Sequence, residues 1–240
     1  MTLTGKVAVV TGGSRGIGFA IARALVTQGA KVAITATSDA TLGAASAELA
    51  VAADRAAVLA IRADVTRHAE VEQAIDRAAR HFGGIDILVN NAGVGVFRAV
   101  AEMSIDEWHR IIETNLSGVF YCCRAALPHL RARGGGWIIN ISSLSGKHPF
   151  AQAAAYCASK AGVNAFSEAL MQEVRHDGIR VAWIMPGSVR TEFSGRTVSD
   201  DEWQQTPEDI AHVVTDLLAY PPRSLPSAVE IRAARPPKKG

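Results

Sequence analysis

Cysteine is scarce in this chain, and the three present form no pattern. Cys122 and Cys123 are adjacent and Cys157 stands apart from them, which excludes a disulfide framework and a CxxC redox motif. Reduced thiols of a cytosolic protein are the reading that remains. The seven histidines include no HxxxH pair and no His/Cys cluster, so no metal site is expected. Long apolar runs are missing too. None approaches the roughly 18 residues a membrane span needs, and the start MTLTGKVAVVTGG has no extended apolar segment with a cleavage site. Excess charge of one sign is also absent: 25 Lys and Arg against 23 Asp and Glu leave +2, scattered rather than striped, which gives nucleic acid no surface. The one basic concentration, ARPPKKG at 234–240, reads as a flexible, solvated tail. A cytoplasmic protein with neither a nucleic-acid nor a membrane partner is expected.

What is present is alternation. At 48% apolar and 20% charged residues the chain has the composition of a globular protein. The runs KVAVVTGG, KVAITATS, AAVLAIRADV, IDILVNNAG, GWIINISS, IRVAWIMPG and AVEIRA read as strands. Helical period covers 17–28, 39–53, 68–82, 104–132 and 154–176 between them. The strand runs are continuously apolar rather than alternating, as in a parallel sheet covered on both faces. We therefore expect one α/β domain over 1–240: a Rossmann-type, doubly wound parallel sheet of about seven strands with helices on both faces. Residues 188–206 are the longest stretch without a period and follow a strand end, which marks a substrate lid.

The first strand runs into TGGSRGIG and then a helix. Gly12, Gly16 and Gly18 there permit a sharp turn and let a pyrophosphate approach helix N–H groups. The spacing is GxxxGxG, and its place after the first strand of an α/β chain is what the mechanism requires. About 20 residues on, an NAD site would offer an acid to the ribose, whereas this chain reads Ala36, Thr37, Ser38. With Arg15 able to pair with a 2′-phosphate, NADP is expected ahead of NAD. Asp39 is an acid in the same neighbourhood, read as a helix cap or first-turn residue. Asp64 ends the third strand, placed either to meet an adenine ring or to cap a turn.

AAAYCASKAGV, residues 153–163, puts Tyr156 and Lys160 one turn apart among small residues. A phenol of pKa near 10 needs help to move protons at neutral pH. An ammonium about 4 Å away would stabilise the phenolate by roughly 4 kcal/mol at an effective dielectric of about 20. Tyrosine packing in a core while the lysine snorkels is the alternative, but Ala154, Ala155, Ala158, Ser159, Ala161 and Gly162 supply no bulk for it. They suit the close approach of a ligand or another helix.

With TGGSRGIG at 11–18, NNAG at 90–93, Asn115, Ser143 and YCASK at 156–160, residues 5–190 resemble the short-chain dehydrogenase/reductases. The resemblance implies Tyr156 as general acid/base and Lys160 as the residue that lowers its pKa and holds the ribose. It implies Ser143 on the substrate oxygen and Asn115 anchoring a proton-relaying water. For the dinucleotide it implies Gly12, Ser14, Arg15, Gly16, Ile17, Gly18, Thr37, Ser38, Asp64, Val65, Asn91, Ala92 and Gly93. Pro186, Gly187, Val189 and Thr191 of PGSVRT follow at the nicotinamide, and Asn90 would support the sheet. An NADP-dependent oxidoreductase acting on a small carbonyl or alcohol is implied, with a 3-oxoacyl thioester or a small hydroxy acid as candidate substrates. A homotetramer is expected ahead of a dimer. Lys147, His148, Phe150, Phe193 and Trp203 are pocket candidates, with surface placement equally open. A dinucleotide-sensing regulatory protein on the same fold is the rival reading.

Overall fold

Val, Ile and Ala dominate the strand runs, and the structure buries them on both faces except in the two edge strands. The computed structural model describes residues 2–52, 55–193 and 202–237. Its elements, in order, are β1 (Val7–Thr11), α1 (Gly16–Thr27), β2 (Lys31–Ala36), α2 (Asp39–Ala52), β3 (Val58–Arg62), α3 (His68–Phe82) and β4 (Ile87–Asn90). There follow α4 (Ile105–Ile112), α5 (Gly118–Ala132), β5 (Gly136–Ile141), α6 (Ala154–Val174), β6 (Ile179–Pro186), α7 (Pro207–Ala219) and β7 (Ala228–Ile231). All seven strands are parallel, in the order β3-β2-β1-β4-β5-β6-β7.

The strand period of two divides the core. Ala8, Val10, Val89, Ile139 and Ala182 join residues of α1, α2 and α7 on one face. Val9, Leu88, Ile138 and Val181 join residues of α3, α5 and α6 on the other. Each fully buried Val, Leu or Ile contributes about 1.5–3 kcal/mol against exposure. Strand order reverses between β1 and β4, so a crevice opens beyond their C-terminal ends. No helix among the described residues is long and apolar enough to cross a membrane.

The structure departs from the single helix expected over 104–132. Between α4 and α5 the chain widens into a π-helical turn, Glu113–Ser117, and Asn115 lies at its centre. Helix α7 was not singled out by periodicity. It begins at a capping box in which the Thr206 side chain accepts from Asp209 N and the Asp209 side chain accepts from Thr206 N, with Pro207 in the first turn.

Candidate active site

The glycine turn lies between β1 and α1, in the crevice. Gly12 has φ 61, and a Cβ there would stand 2.9 Å from Ala92 Cα. A Cβ on Gly18 would stand 2.3 Å from both Gly12 O and Asn91 Nδ2, so any larger residue breaks the turn. Gly16 differs: the nearest atom to a Cβ there is Thr191 Cγ2 at 3.6 Å. With no acid in the first turn of α1, this leaves bare backbone at a helix N-terminus, which suits a pyrophosphate. Asn91 Nδ2 donates to Thr11 O (3.0 Å) and Gly12 O (3.1 Å), so it shapes the turn from behind. Ile17 and Val65 pack against the two cores.

Beyond β2 lies a second, more polar corner. Ser14 Oγ accepts from Thr41 Oγ1 (3.3 Å), and Ser38 Oγ accepts from Thr41 N (3.4 Å). Asp39 is the first residue of α2, as the first-turn reading expected. Sequence reasoning missed Arg62, which ends β3 in register with Ala36. Its Nε donates to Thr37 O (3.2 Å) and lies 3.9 Å from the Asp39 carboxylate. An arginine closing the strand beside β2 is a signal that was open to reading. Arg15 Nη1 pairs with Glu192 at 3.2 Å. Asp64 Oδ1 accepts from Thr66 N (2.9 Å) and Thr66 Oγ1 (2.8 Å), which is the turn-capping role. Taken together, these residues fit an adenine dinucleotide.

The catalytic candidates converge beyond β5. Ser143 caps the short turn Leu144–Gly146, its Oγ accepting from Ser145 N (3.1 Å), and stands beside the Tyr156 phenol, where it favours the ionised form. Lys160 is buried, and its Nζ donates to Ile141 O (2.8 Å). Asn115 is fully buried: its Oδ1 accepts from Val94 N (2.8 Å), and its Nδ2 donates to Val94 O (2.9 Å) and Ser159 Oγ (3.1 Å). These bonds account for the widened turn. A Cβ on Gly93 would stand 3.4 Å from Asn115 Oδ1 and 3.7 Å from Lys160 Nζ, so these three residues share one small space.

Small residues in α6 and in the turn before it permit this approach. A Cβ on Gly146 would stand 2.7 Å from the Lys160 carbonyl carbon, and one on Gly162 would stand 2.9 Å from Leu116. Beyond β6, Gly187 N donates to Ile231 O (2.9 Å), and Val189 bridges to Gln205 at the base of the lid region. Pro186 is buried at the strand end. Of the lid expected over 188–206, residues 194–201 lie outside the described residues, as do 238–240 of the tail.

Electrostatics correct one expectation. Burial holds the Tyr156 phenol above its ordinary value; Ser143 opposes that rise and Cys157 adds to it. Burial also pushes Lys160 down to about 8. Its Nζ is 5.9 Å from the Tyr156 ring centre, anchored on a carbonyl, so desolvation outweighs the attraction expected at about 4 Å. In the chain by itself the phenol is a protonated acid.

Of the pocket candidates, Phe193 lies 5.6 Å from the Tyr156 ring centre, and Phe97, which sequence reasoning missed, also lies at 5.6 Å. Phe150 reaches Phe97. Lys147 and His148 are exposed and bonded to Glu230 and Arg232 respectively. Trp203 is half-buried.

Residues 6–202 match the family model for short chain dehydrogenase. An uncharacterised oxidoreductase of Staphylococcus saprophyticus is 37% identical over 96% of this chain and 98% of its own length. One from Staphylococcus aureus strain MRSA252 is 36% identical over 91% and 93%. Among solved structures, an alcohol dehydrogenase from the archaeon Thermococcus sibiricus, complexed with 5-hydroxy-NADP, superposes with TM-score 0.89 at 32% identity over 98% of this chain and 99% of that one. A metagenomic short-chain oxidoreductase in complex with NADP gives 0.85 at 36% identity over 98% and 100%.

Proposed function

The chain belongs to the short-chain dehydrogenase family, and from that premise we propose an NADP-dependent oxidoreductase that interconverts a ketone and a secondary alcohol, with Tyr156 as its general acid/base. The observation that carries this is the convergence of Ser143, Tyr156 and Lys160 beyond β5, beside Gly93 and the glycine turn.

A reduced nicotinamide, when bound, supplies the hydride that the carbonyl carbon accepts. Gly12 and Gly18 close the turn that would bring the bare backbone at Gly16 to the pyrophosphate, and Val189 and Thr191 would flank the nicotinamide. Ser143 donates to the carbonyl oxygen as it gains negative charge. Tyr156, protonated at neutral pH, delivers its proton to that oxygen and becomes a phenolate. Lys160, fixed on Ile141 O, stabilises the phenolate. Asn115 and Ser159 fix the π turn against α6, which holds the lysine in place. For the alcohol the same steps run backwards, with the phenolate taking the proton.

NADP preference rests on Arg15 and Arg62 at the corner beyond β2, and on the pairing of Asp39 with Arg62. The homotetramer rests on exposed aromatic surface: Phe120, 46% exposed on α5, lies beside Phe166 of α6. Light scattering of wild type and Phe120→Asp tests it, and a monomeric wild type removes it.

The test of function is loss of NADPH absorbance with a panel of ketones. Turnover that vanishes in Tyr156→Phe, while NADPH still binds, is expected. Binding with no turnover of any carbonyl would instead favour a dinucleotide sensor.

A further inference from the structure

Two phenylalanines meet the ring of Tyr156, and a third stands behind one of them. Phe97 meets it edge-on with centroids 5.6 Å apart, Phe193 tilts against it at 5.6 Å, and Phe150 stands 6.0 Å from Phe97. They come from three separate connections, after β4, after β5 and after β6. Aromatic residues make up only 6% of the chain, so local composition does not explain four of them at one point. The Tyr156 and Ser143 hydroxyls fix where a carbonyl oxygen must stand. Whatever flanks the tyrosine ring therefore faces the carbonyl's substituents.

Among the described residues of the neighbouring segments, Lys147, Arg232 and Arg98 are committed to carboxylates. Lys147 pairs with Glu230, and Arg232 bonds both Glu230 (2.6 Å) and His148 (3.0 Å). Lys147, then Arg232, hold the Glu230 carboxyl down to about 2, so this acid stays charged and keeps its partners. Arg98, next in sequence to Phe97, pairs with Glu107 at 2.8 Å. A carboxylate brought to this rim would lose water beside phenyl rings, and its rivals for those cations are already seated. A phenyl or branched alkyl group would instead gain edge-to-face and dispersion contacts. Phe150, 53% exposed, supplies apolar surface that a large substituent covers.

We infer that the site takes a neutral ketone bearing an aryl or bulky branched alkyl group, ahead of an oxo acid or a 3-oxoacyl thioester. This rests on the ketone reductase reading above and narrows it to a substrate class. Arg190, at the lid base, is the cation an acidic substrate would have to recruit, and the choice of probes tests that directly.

The experiment compares kcat/KM, with NADPH, for acetophenone, phenylglyoxylate, 2-butanone and the acetoacetyl thioester of N-acetylcysteamine. Phenylglyoxylate replaces the methyl of acetophenone with a carboxylate and keeps the ring. Acetophenone is expected to exceed phenylglyoxylate and the thioester by about tenfold or more. Phe97→Ala is expected to lower the acetophenone to 2-butanone ratio by about tenfold, with Phe97→Leu between it and wild type. Saturation-transfer NMR on the aryl protons of 1-phenylethanol reads the same contact without turnover, and its signal should weaken in Phe97→Ala. Faster reduction of phenylglyoxylate or the thioester overturns the inference, as does an acetophenone to 2-butanone ratio that Phe97→Ala leaves unmoved. If NADPH binds and no carbonyl is reduced, the reductase reading falls and this inference with it; reduction in the wrong order sinks the inference alone.

Discussion

Two ends of the same crevice handle charge in opposite ways. Beyond β5, the phenol and ammonium of Tyr156 and Lys160 are almost out of water, and burial is the first cause of both their shifts. Beyond β2, Arg15 and Arg62 stand in solvent, each beside an exposed carboxylate. Where water is excluded, position and proton affinity are locked by neighbours. Where it is not, pairs are weak, screened and exchangeable, with an exposed ion pair worth about 0.2–1 kcal/mol. The buried end suits a chemical step, and the exposed end suits an exchange in which a phosphate displaces a carboxylate.

Breaking the buried end should cost most. Lys160→Met is expected to lower carbonyl reduction by about a hundredfold or more. It should also change a pH profile. Lys160 loses its proton near 8 in the folded chain against 10.5 ordinarily; in that window the unfolded chain binds more protons, so stability rises with pH. Tyr156 acts in the opposite sense above its ordinary 10.0, because the folded chain keeps that proton longer. Burial also holds the Cys122 and Cys123 thiols above their ordinary 9.0, which lowers the stability of wild type and variant alike as pH rises past that value. The urea midpoint of the wild type should therefore climb relative to that of Lys160→Met from about pH 8 towards 10.

A second test concerns packing. Gly146→Val drives a side chain into the Lys160 backbone and is expected to cost about 1–3 kcal/mol, read by thermal denaturation. Gly43, in α2, has nothing within 4 Å of a Cβ, so Gly43→Ala should stabilise by up to about 1 kcal/mol.

At the exposed corner the effects shrink. Arg62→Gln is expected to weaken NADPH about 3- to 10-fold and leave NADH unchanged, measured by nucleotide fluorescence. The difference should fade with added salt, since screening reaches about 8 Å at physiological ionic strength. Glu192→Gln, which frees Arg15, should tighten NADPH about twofold. An Arg62 effect that salt does not touch would erase the contrast between the two ends.

Some of this was legible in the residues. Continuous Val and Ile runs announced strands buried on both faces, and the turn glycines announced close backbone packing, because those signals are local. The π turn was not legible: IIETNLSGVF has helical composition, and Asn115 widens the helix only because Val94 and Ser159, distant in sequence, take its hydrogen bonds. Phe97 was missed for the same reason, since its ring partners arrive from other loops, whereas Arg62 could have been read from its place at a strand end.

The amino-acid order by itself determined the alternating α/β plan, the glycine turn, and the YxxxK pair one helical turn apart. Each of these follows from periodicity or from backbone sterics within a few residues. Only the tertiary structure decided that the phenol is pushed up rather than down, which phenyl rings flank it, and which carboxylate neighbours each arginine. Desolvation, ring contacts and ion pairs depend on distances between segments that the sheet brings together, and spacing along the chain carries no record of them.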